Sequence, residues 1–426
     1  MGSLIRFELK KIIARKSAKI SCAVILAFIA IVMVANVLQT VAFDYETDER
    51  YDGLAAIDYE RRTVNAHAAV LTPELIASEA AAYSERAFSV MGPAELADLS
   101  SEAAYDQMEQ RCSVTEFSQL SDPYYRYLFS PWAVASQQPY QTAAIMALDG
   151  ADAADFYGAL RAKCTAELDE GLAPDAVVPL TRAEYDFWQA KIEAVPTPFA
   201  YGFAGAWHDI LDCVGFLVFA MVAIAVALTP VFAGEYADRT DAVLLSTRYG
   251  KSRLVAAKVI ASLIFATAFY VLCAALVVAV PLVCYGPDGA DLPLQALVST
   301  SPYAVTTSQA VWAALGTGYA ITLGFSGLTL ALSSRLRSQI AIFAIVVCLL
   351  LVTGLVAGGA SGAVLRALTL FPINALGPGT LVREYLSYAV GPVVLTPETA
   401  VTLFWLAVCA LCLPVSALVF RRHQVA

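Results

Sequence analysis

The charged stretch GEYADRTDAVLLSTRYGKSRLVAAK, residues 234–258, separates two long apolar parts of the chain. It carries five basic and three acidic residues, whereas residues 213–234 and 259–287 on either side contain no charged residue. A helix crosses a hydrocarbon core about 30 Å thick with roughly 20 apolar residues. The stretch therefore predicts a polar connector between two membrane-spanning helices.

The rest of the chain repeats this alternation of apolar and charged segments. Only 15% of its 426 residues are charged, against about 25% in soluble globular proteins. We predict an all-α integral membrane protein with six transmembrane helices, an N-terminal interfacial helix and a large, mostly helical extracellular domain between helices 1 and 2. The predicted spans are residues 20–43, 208–233, 257–285, 306–333, 338–360 and 399–420.

The segments between these spans divide by charge. Basic residues outnumber acidic ones in the N-terminal helix (1–19), the connector loop (234–256), the link after the fourth span and the C-terminal tail (421–426). The positive-inside rule makes this side cytoplasmic and places both termini there, in a multi-pass protein of the cell membrane. The length of the first apolar segment favours a retained anchor over a cleaved signal peptide.

The predicted extracellular domain, residues 44–207, is strongly acidic. Residues 44–205 hold 27 acidic and 10 basic residues, which either solvate the domain or attract cationic substrates. The sequences SVTE (113–116) and TRAE (181–184) fit the capping box, and Thr72 precedes Pro73 as an N-cap. Cys112 and Cys164 either form a disulfide or remain free, because their spacing in sequence does not set their distance.

Glycine and proline recur in the second half of the chain. Residues 361–398 form shorter apolar pieces rich in proline and glycine, which favours extracellular re-entrant or interfacial segments over further spans. Glycines in the fourth and fifth spans have the spacing that allows close helix packing. These candidate packing positions are Gly316, Gly324, Gly354 and Gly358.

The connector ends in Gly250-Lys251-Ser252, as do many phosphate-binding loops. The loop pattern also requires a glycine five residues before Gly250, where Leu245 stands, and a strand before it. We therefore expect no ATP-binding loop and no enzymatic activity in this chain. The predicted span interiors lack ionisable residues, which argues against proton- or sodium-coupled transport. His67, His208 and His423 are scattered and indicate neither a catalytic nor a metal site.

The connector resembles that of the ABC-2 type permeases, the membrane subunits of ATP-driven exporters. The large predicted outer domain and the AWHDIL stretch (206–211) resemble the bacteriocin or antimicrobial-peptide type of this family. Arg239 and Arg248 depart from the family pattern, in which many relatives have glycine and some have proline. The matching positions are Glu235, Thr240, Leu244, Leu245, Ser246, Thr247, Gly250, Arg253 and Lys258.

The resemblance implies that the connector is a coupling helix held by a separate cytoplasmic ABC ATPase, which carries the ATP and magnesium. It also implies an N-terminal elbow helix and a second permease chain, in a homo- or heterodimer within the lipid bilayer and without nucleic acid. The expected substrate is a peptide or an amphipathic, lipid-like molecule. The alternative is a non-transporting receptor or sensor that binds a ligand through its acidic domain.

Two interpretations of individual residues complete this picture. Glu235 either pairs with a basic residue of the elbow helix or of the partner, or is a solvated interfacial acid. On a helical wheel, one apolar face of the elbow helix contains Ile5, Leu9, Ile12 and Ile13.

Overall fold

Six helices of the computed structural model are long and apolar enough to cross a membrane. The structure describes residues 1–44, 47–134, 136–173, 175–237, 253–377 and 385–422. Within these residues the first to sixth spans are Lys16–Gln39, Gly205–Ala237, Arg253–Tyr285, Thr307–Arg335, Gln339–Ala357 and Pro397–Phe420. The six predicted spans are thus matched in number and order.

The bounds of some spans differ from the predicted ones. The first span ends at Gln39, because Val41–Asp44 leaves the helix and pairs as a strand with Glu49–Asp52. The second span begins at Gly205 and extends to Ala237, so the predicted connector loop starts inside helix. Charge-free runs locate the apolar part of a helix, and its polar end turns lie beyond that signal.

The second and fourth spans form the centre of the helix bundle. In each of them 67% of the most apolar window is buried, compared with 17% in the first, fifth and sixth spans. The exposed side chains of the outer spans are themselves large and apolar, such as Val283 and Leu355. This arrangement suits spans whose outer faces contact lipid.

The second span is divided into consecutive helical pieces. They are Gly205–Cys213, a 3₁₀ turn at Val214–Phe216, Leu217–Leu228 and Pro230–Ala237. Pro230 has no N–H group and interrupts the hydrogen bonding of the helix. Ser333 of the fourth span bridges the break: its Oγ accepts from the N–H groups of Phe232 and Ala233, both at 3.1 Å, and donates to the carbonyl of Thr229 at 2.6 Å.

The inserted domain, defined here as residues 44–204, is mostly helical. Its helices are Leu54–Ala66, Pro73–Val90, Pro93–Asp98, Ser101–Arg111, Val114–Leu120, Pro123–Leu128, Pro139–Asp149, Phe156–Glu170 and Arg182–Glu193. The Thr72 cap and the capping boxes at Ser113 and Thr181 are confirmed. Strand pairing between Ala69–Val70 and Ala200–Tyr201 was not expected, because strands of two residues give no alternating pattern.

The inserted domain rests on the loops between the later spans. Tyr127 donates to the carbonyl of Gln295 at 3.0 Å, and the ring of Trp188 packs edge-on against Tyr303. Residues 361–398 contain the helices Gly362–Thr369 and Pro372–Ala375 and a hairpin of Tyr388–Val390 with Val393–Leu395. This segment is tied to the inserted domain through Arg366, whose Nη2 lies 3.1 Å from Oε1 of the buried Glu184.

Candidate functional site

The N-terminal helix, Gly2–Ala14, packs against the third span. Ile12 is buried, and Ile5 and Leu9 pack against the core of the bundle, as the helical wheel predicts. Ile13, which was assigned to the same face, is 48% exposed. The buried face also contains an acid, Glu8, which is 4% exposed. A buried carboxylate requires compensating partners.

Those partners lie at the ends of the two spans that flank the connector. Nζ of Lys258, in the third span, lies 3.1 Å from Oε2 of Glu8 and 2.7 Å from Oε1 of Glu235, in the second span. Nζ of Lys11 lies 2.5 Å from the same oxygen of Glu235. We call Glu8, Lys11, Glu235 and Lys258 the ion cluster.

The ion cluster balances two carboxylates with two ammonium groups. Lys258 is 1% exposed and also donates to the carbonyl of Val231 at 3.2 Å. Removing one partner of such a buried set costs about 3–5 kcal/mol, because the remaining charge is left in a medium of low dielectric constant. The cluster therefore fixes the N-terminal helix, the end of the second span and the start of the third span relative to one another.

Further contacts gather other helix ends around the cluster. Arg15, just after the N-terminal helix, donates from Nη2 to the carbonyl of Pro230 at 3.1 Å. Tyr236 donates to the carbonyl of Ser334 at 2.8 Å, at the end of the fourth span. The ring of Phe420, near the end of the sixth span, lies 4.9 Å from that of Phe232. These helix ends lie on one side of the bundle.

The structure brings together only part of the predicted connector set. Glu235 and Lys258 meet in the ion cluster, and the pairing of Glu235 with a basic residue of the N-terminal helix is confirmed. Arg253 is the exposed first residue of the third span. The remaining positions, Thr240, Leu244, Leu245, Ser246, Thr247 and Gly250, lie outside the described residues.

Sequence reasoning did not identify Glu8 and Lys11 as members of the site. A weak signal existed for Glu8, which is the single acid among six bases in residues 1–19. Its importance depends on the side chain facing Lys258, a residue 250 positions later in the chain.

The predicted packing glycines differ in their surroundings. A Cβ at Gly324 would clash with the backbone of Trp405 in the sixth span, and one at Gly354 would lie 3.0 Å from Ile373. At Gly316 and Gly358 no atom of the described residues lies within 4 Å of the position that a Cβ would occupy. Close approach thus requires glycine at Gly324, where two spans cross.

The two cysteines considered for a disulfide are both free thiols in the structure. Cys164 is buried in the large cluster shared with the spans, and its Sγ lies 3.6 Å from the carbonyl of Thr300. Cys112 lies at the edge of the separate hydrophobic cluster of the inserted domain. Each thiol is therefore accounted for by local packing.

Comparison with known proteins identifies the family. A family model described as "ABC-2 family transporter protein" matches residues 8–425. The chain belongs to the ABC-2 transporter family. Neither the curated proteins nor the solved structures gave a match. Membership makes the chain a permease subunit of an ABC transporter and implies an ABC ATPase partner.

In this ABC-2 permease, two members of the ion cluster stand on either side of residues 238–252. Glu235 stands three positions before residue 238, and Lys258 stands six positions after residue 252. The side chains of these two residues are joined directly at 2.7 Å. The end of the second span and the start of the third span, which flank residues 238–252, are therefore held together by a buried ion pair.

Proposed function

We propose that this permease is the membrane subunit of an exporter and that residues 238–252 transmit the closure of a separate ATPase to the spans. The observation that supports this proposal is the ion cluster. A force applied to the connector reaches the second span, the third span and the N-terminal helix together, because Lys258 contacts Glu235 and Glu8. The connector then works as a lever on a rigid base.

The proposed orientation places this side of the bundle in the cytoplasm. The helix ends around the ion cluster are flanked by the basic segments of the sequence, including Arg335 and Arg337. The opposite side carries the acidic inserted domain. Such an asymmetry follows the positive-inside rule and puts the inserted domain outside the cell.

The proposed substrate is a peptide or an amphipathic, lipid-like molecule moved outward. The large acidic insertion on the exit side supports this class, because it provides a surface on which a cationic or amphipathic molecule can be received. We further propose that two permease chains and two ATPase chains form the transporter, as six spans are half of an ordinary exporter.

The test reconstitutes the permease with its ABC ATPase in proteoliposomes and measures ATP hydrolysis. We expect Leu245→Asp in the connector to abolish the stimulation of hydrolysis by the permease, while the amount of inserted protein stays unchanged. Leu172→Asp, at a 41% exposed position of the inserted domain, is the matched control and should preserve stimulation.

Equal stimulation by the Leu245→Asp variant and by the unaltered chain would contradict the lever. A chain that binds a ligand but never alters the hydrolysis rate of an ABC ATPase would instead support the receptor interpretation. Hydrolysis of ATP by the isolated chain would contradict the assignment of ATP hydrolysis to a separate subunit.

A further inference from the structure

A cavity lies where the inserted domain meets the first three spans. Its volume is about 380 Å³, which falls in the range of about 300–1,000 Å³ typical of sites for small molecules. Residues of the inserted domain, the start of the second span and the end of the third span form its walls. The cavity is far larger than the roughly 30 Å³ that one water molecule occupies.

Asp209 lines this cavity as a largely buried carboxylate. The residue is 6% exposed, and Asn36 of the first span donates to its Oδ1. Among the residues that the structure describes, no group donates to Oδ2, which is itself buried. Leaving a buried charged acceptor without a donor is costly.

The described residues of the cavity wall add a second carboxylate and no fixed positive charge. Glu60 of the inserted domain lines it, and burial raises the pKa of this carboxyl above its usual value. None of the described lining residues is a lysine or an arginine. His208 also lines the cavity, but its Nδ1 lies 3.5 Å from Oδ2 of Asp212, a half-exposed residue outside the cavity wall.

Aromatic side chains complete the lining. Tyr201, Phe203 and Tyr285 all contribute to the wall. Aromatic rings attract cations through their negative faces and also accept the alkyl part of a ligand. Two carboxylates beside three aromatic rings, with no lysine or arginine among the described lining residues, fit the charge and the alkyl part of an alkylammonium ion.

We propose that this cavity binds the primary ammonium group of an amphipathic organic cation, with Asp209 and Glu60 as its anionic partners. The proposal deepens the permease function by naming a substrate class, and to that extent it rests on that function. Binding itself requires only this chain, so it is measured without an ATPase.

The experiment titrates hexylammonium chloride into the full-length chain in nanodiscs of zwitterionic lipid and follows the heat of binding. We expect saturable binding that weakens about ten- to a hundredfold in Asp209→Asn, the loss typical of removing one charged hydrogen bond. Asp212→Asn removes a carboxylate from the same helix but outside the cavity, and should bind as tightly as the unaltered chain.

Probe chemistry separates the site from the lipid. Hexanol has the same alkyl chain without the charge and should show only partitioning, and tetramethylammonium lacks N–H donors and should bind more weakly than hexylammonium. Should Asp209→Asn fail to fold, Glu60→Gln provides a second variant, which is also expected to weaken binding. Equal binding in the cavity variants and the unaltered chain, equal binding of hexanol, or no saturable binding would each overturn the proposal.

Discussion

Two carboxylates at opposite ends of the second span differ in how the fold compensates them. Glu235, at the connector end, is 4% exposed and lies against the ammonium groups of Lys11 and Lys258. Asp209, at the inserted-domain end, is 6% exposed and accepts from the amide of Asn36, and among the described residues no group donates to its other oxygen. Similar burial thus accompanies a complete ion cluster at one end and spare acceptor capacity at the other.

This difference in charge compensation indicates what each end of the second span can do. The charges of Glu8, Glu235 and Lys258 are buried against one another and resist rearrangement, since separating them leaves a desolvated charge. A buried carboxylate beside a cavity, with one neutral amide donating to it among the described residues, is suited to take a positive charge from outside the chain. The connector end of the second span is therefore suited to keep a fixed arrangement, and the inserted-domain end is suited to bind a ligand.

The largest expected effect comes from removing the central cation of the connector end. Lys258→Met leaves Glu8 and Glu235 buried with one fewer partner, so the free energy of unfolding should fall by about 3–5 kcal/mol. Denaturant unfolding in detergent measures this. Lys19→Met at an exposed position is the control and should change stability little. Equal stability of the two variants would show that the cluster holds nothing in place.

The two ends are compared most directly by variants that remove one charge from each end and keep the shape of the side chain. Glu235→Gln removes the charge shared by Lys11 and Lys258 but keeps an oxygen acceptor. Lys258 also keeps Glu8, so a loss of about 1.5–3 kcal/mol is expected, less than for removing Lys258. Asp209→Asn relieves an incompletely paired charge and keeps an acceptor for Asn36, so stability should stay within about 1 kcal/mol or rise. The same unfolding assay measures both, and equal losses would remove the distinction between the two ends.

The crossing of the fourth and sixth spans provides a test of packing that involves no charged residue. Gly324→Ala would place a methyl group against the backbone of Trp405, and overpacking of this kind costs about 1–3 kcal/mol. Gly316→Ala, on the same helix, meets open space and should be neutral. If Gly324→Ala left the thermal stability unchanged, the two spans would have to separate easily at this point. Thermal unfolding of the two variants side by side measures the difference.

The smallest effect is expected where the inserted domain holds the segment before the sixth span. Arg366→Met removes a partly exposed guanidinium from Glu184, while Ser387 still donates to the same oxygen at 3.1 Å. A loss of about 0.5–1.5 kcal/mol is expected, because Thr181 and Ser387 still donate to the carboxylate of Glu184. Hydrogen exchange should quicken in the helix Gly362–Thr369. Arg182→Met, in an exposed pair with Asp186, is the control, and equal exchange in both variants would argue against a specific tie.

The spans were predictable from the sequence because they are marked by charge-free runs, which are local features of the chain. Charge-free runs of sufficient length mark a helix in lipid whatever surrounds it. The capping boxes at Ser113 and Thr181 were predictable for the same reason, since both partners lie within four residues. The strands at Val41–Asp44 and Ala69–Val70 were missed because short pairs carry too little pattern.

The candidate site was only partly predictable. The sequence indicated Glu235 and Lys258 through their positions at the ends of the connector, and suggested that Glu235 pairs with a basic residue of the N-terminal helix or of a partner subunit. The contact of Glu8 with Lys258 depends on how three helix ends meet, which no local pattern contains. The cavity beside Asp209 is likewise made by parts of the chain far apart in sequence.

The serine that bridges the break at Pro230 has a mechanical consequence. Any bend of the second span at this joint must either stretch three hydrogen bonds to the Ser333 hydroxyl or move the fourth span with it. Because the fourth span crosses the sixth at Gly324, the motion would pass on to a third helix. A displacement at one joint is thereby shared as a concerted shift of the central helices.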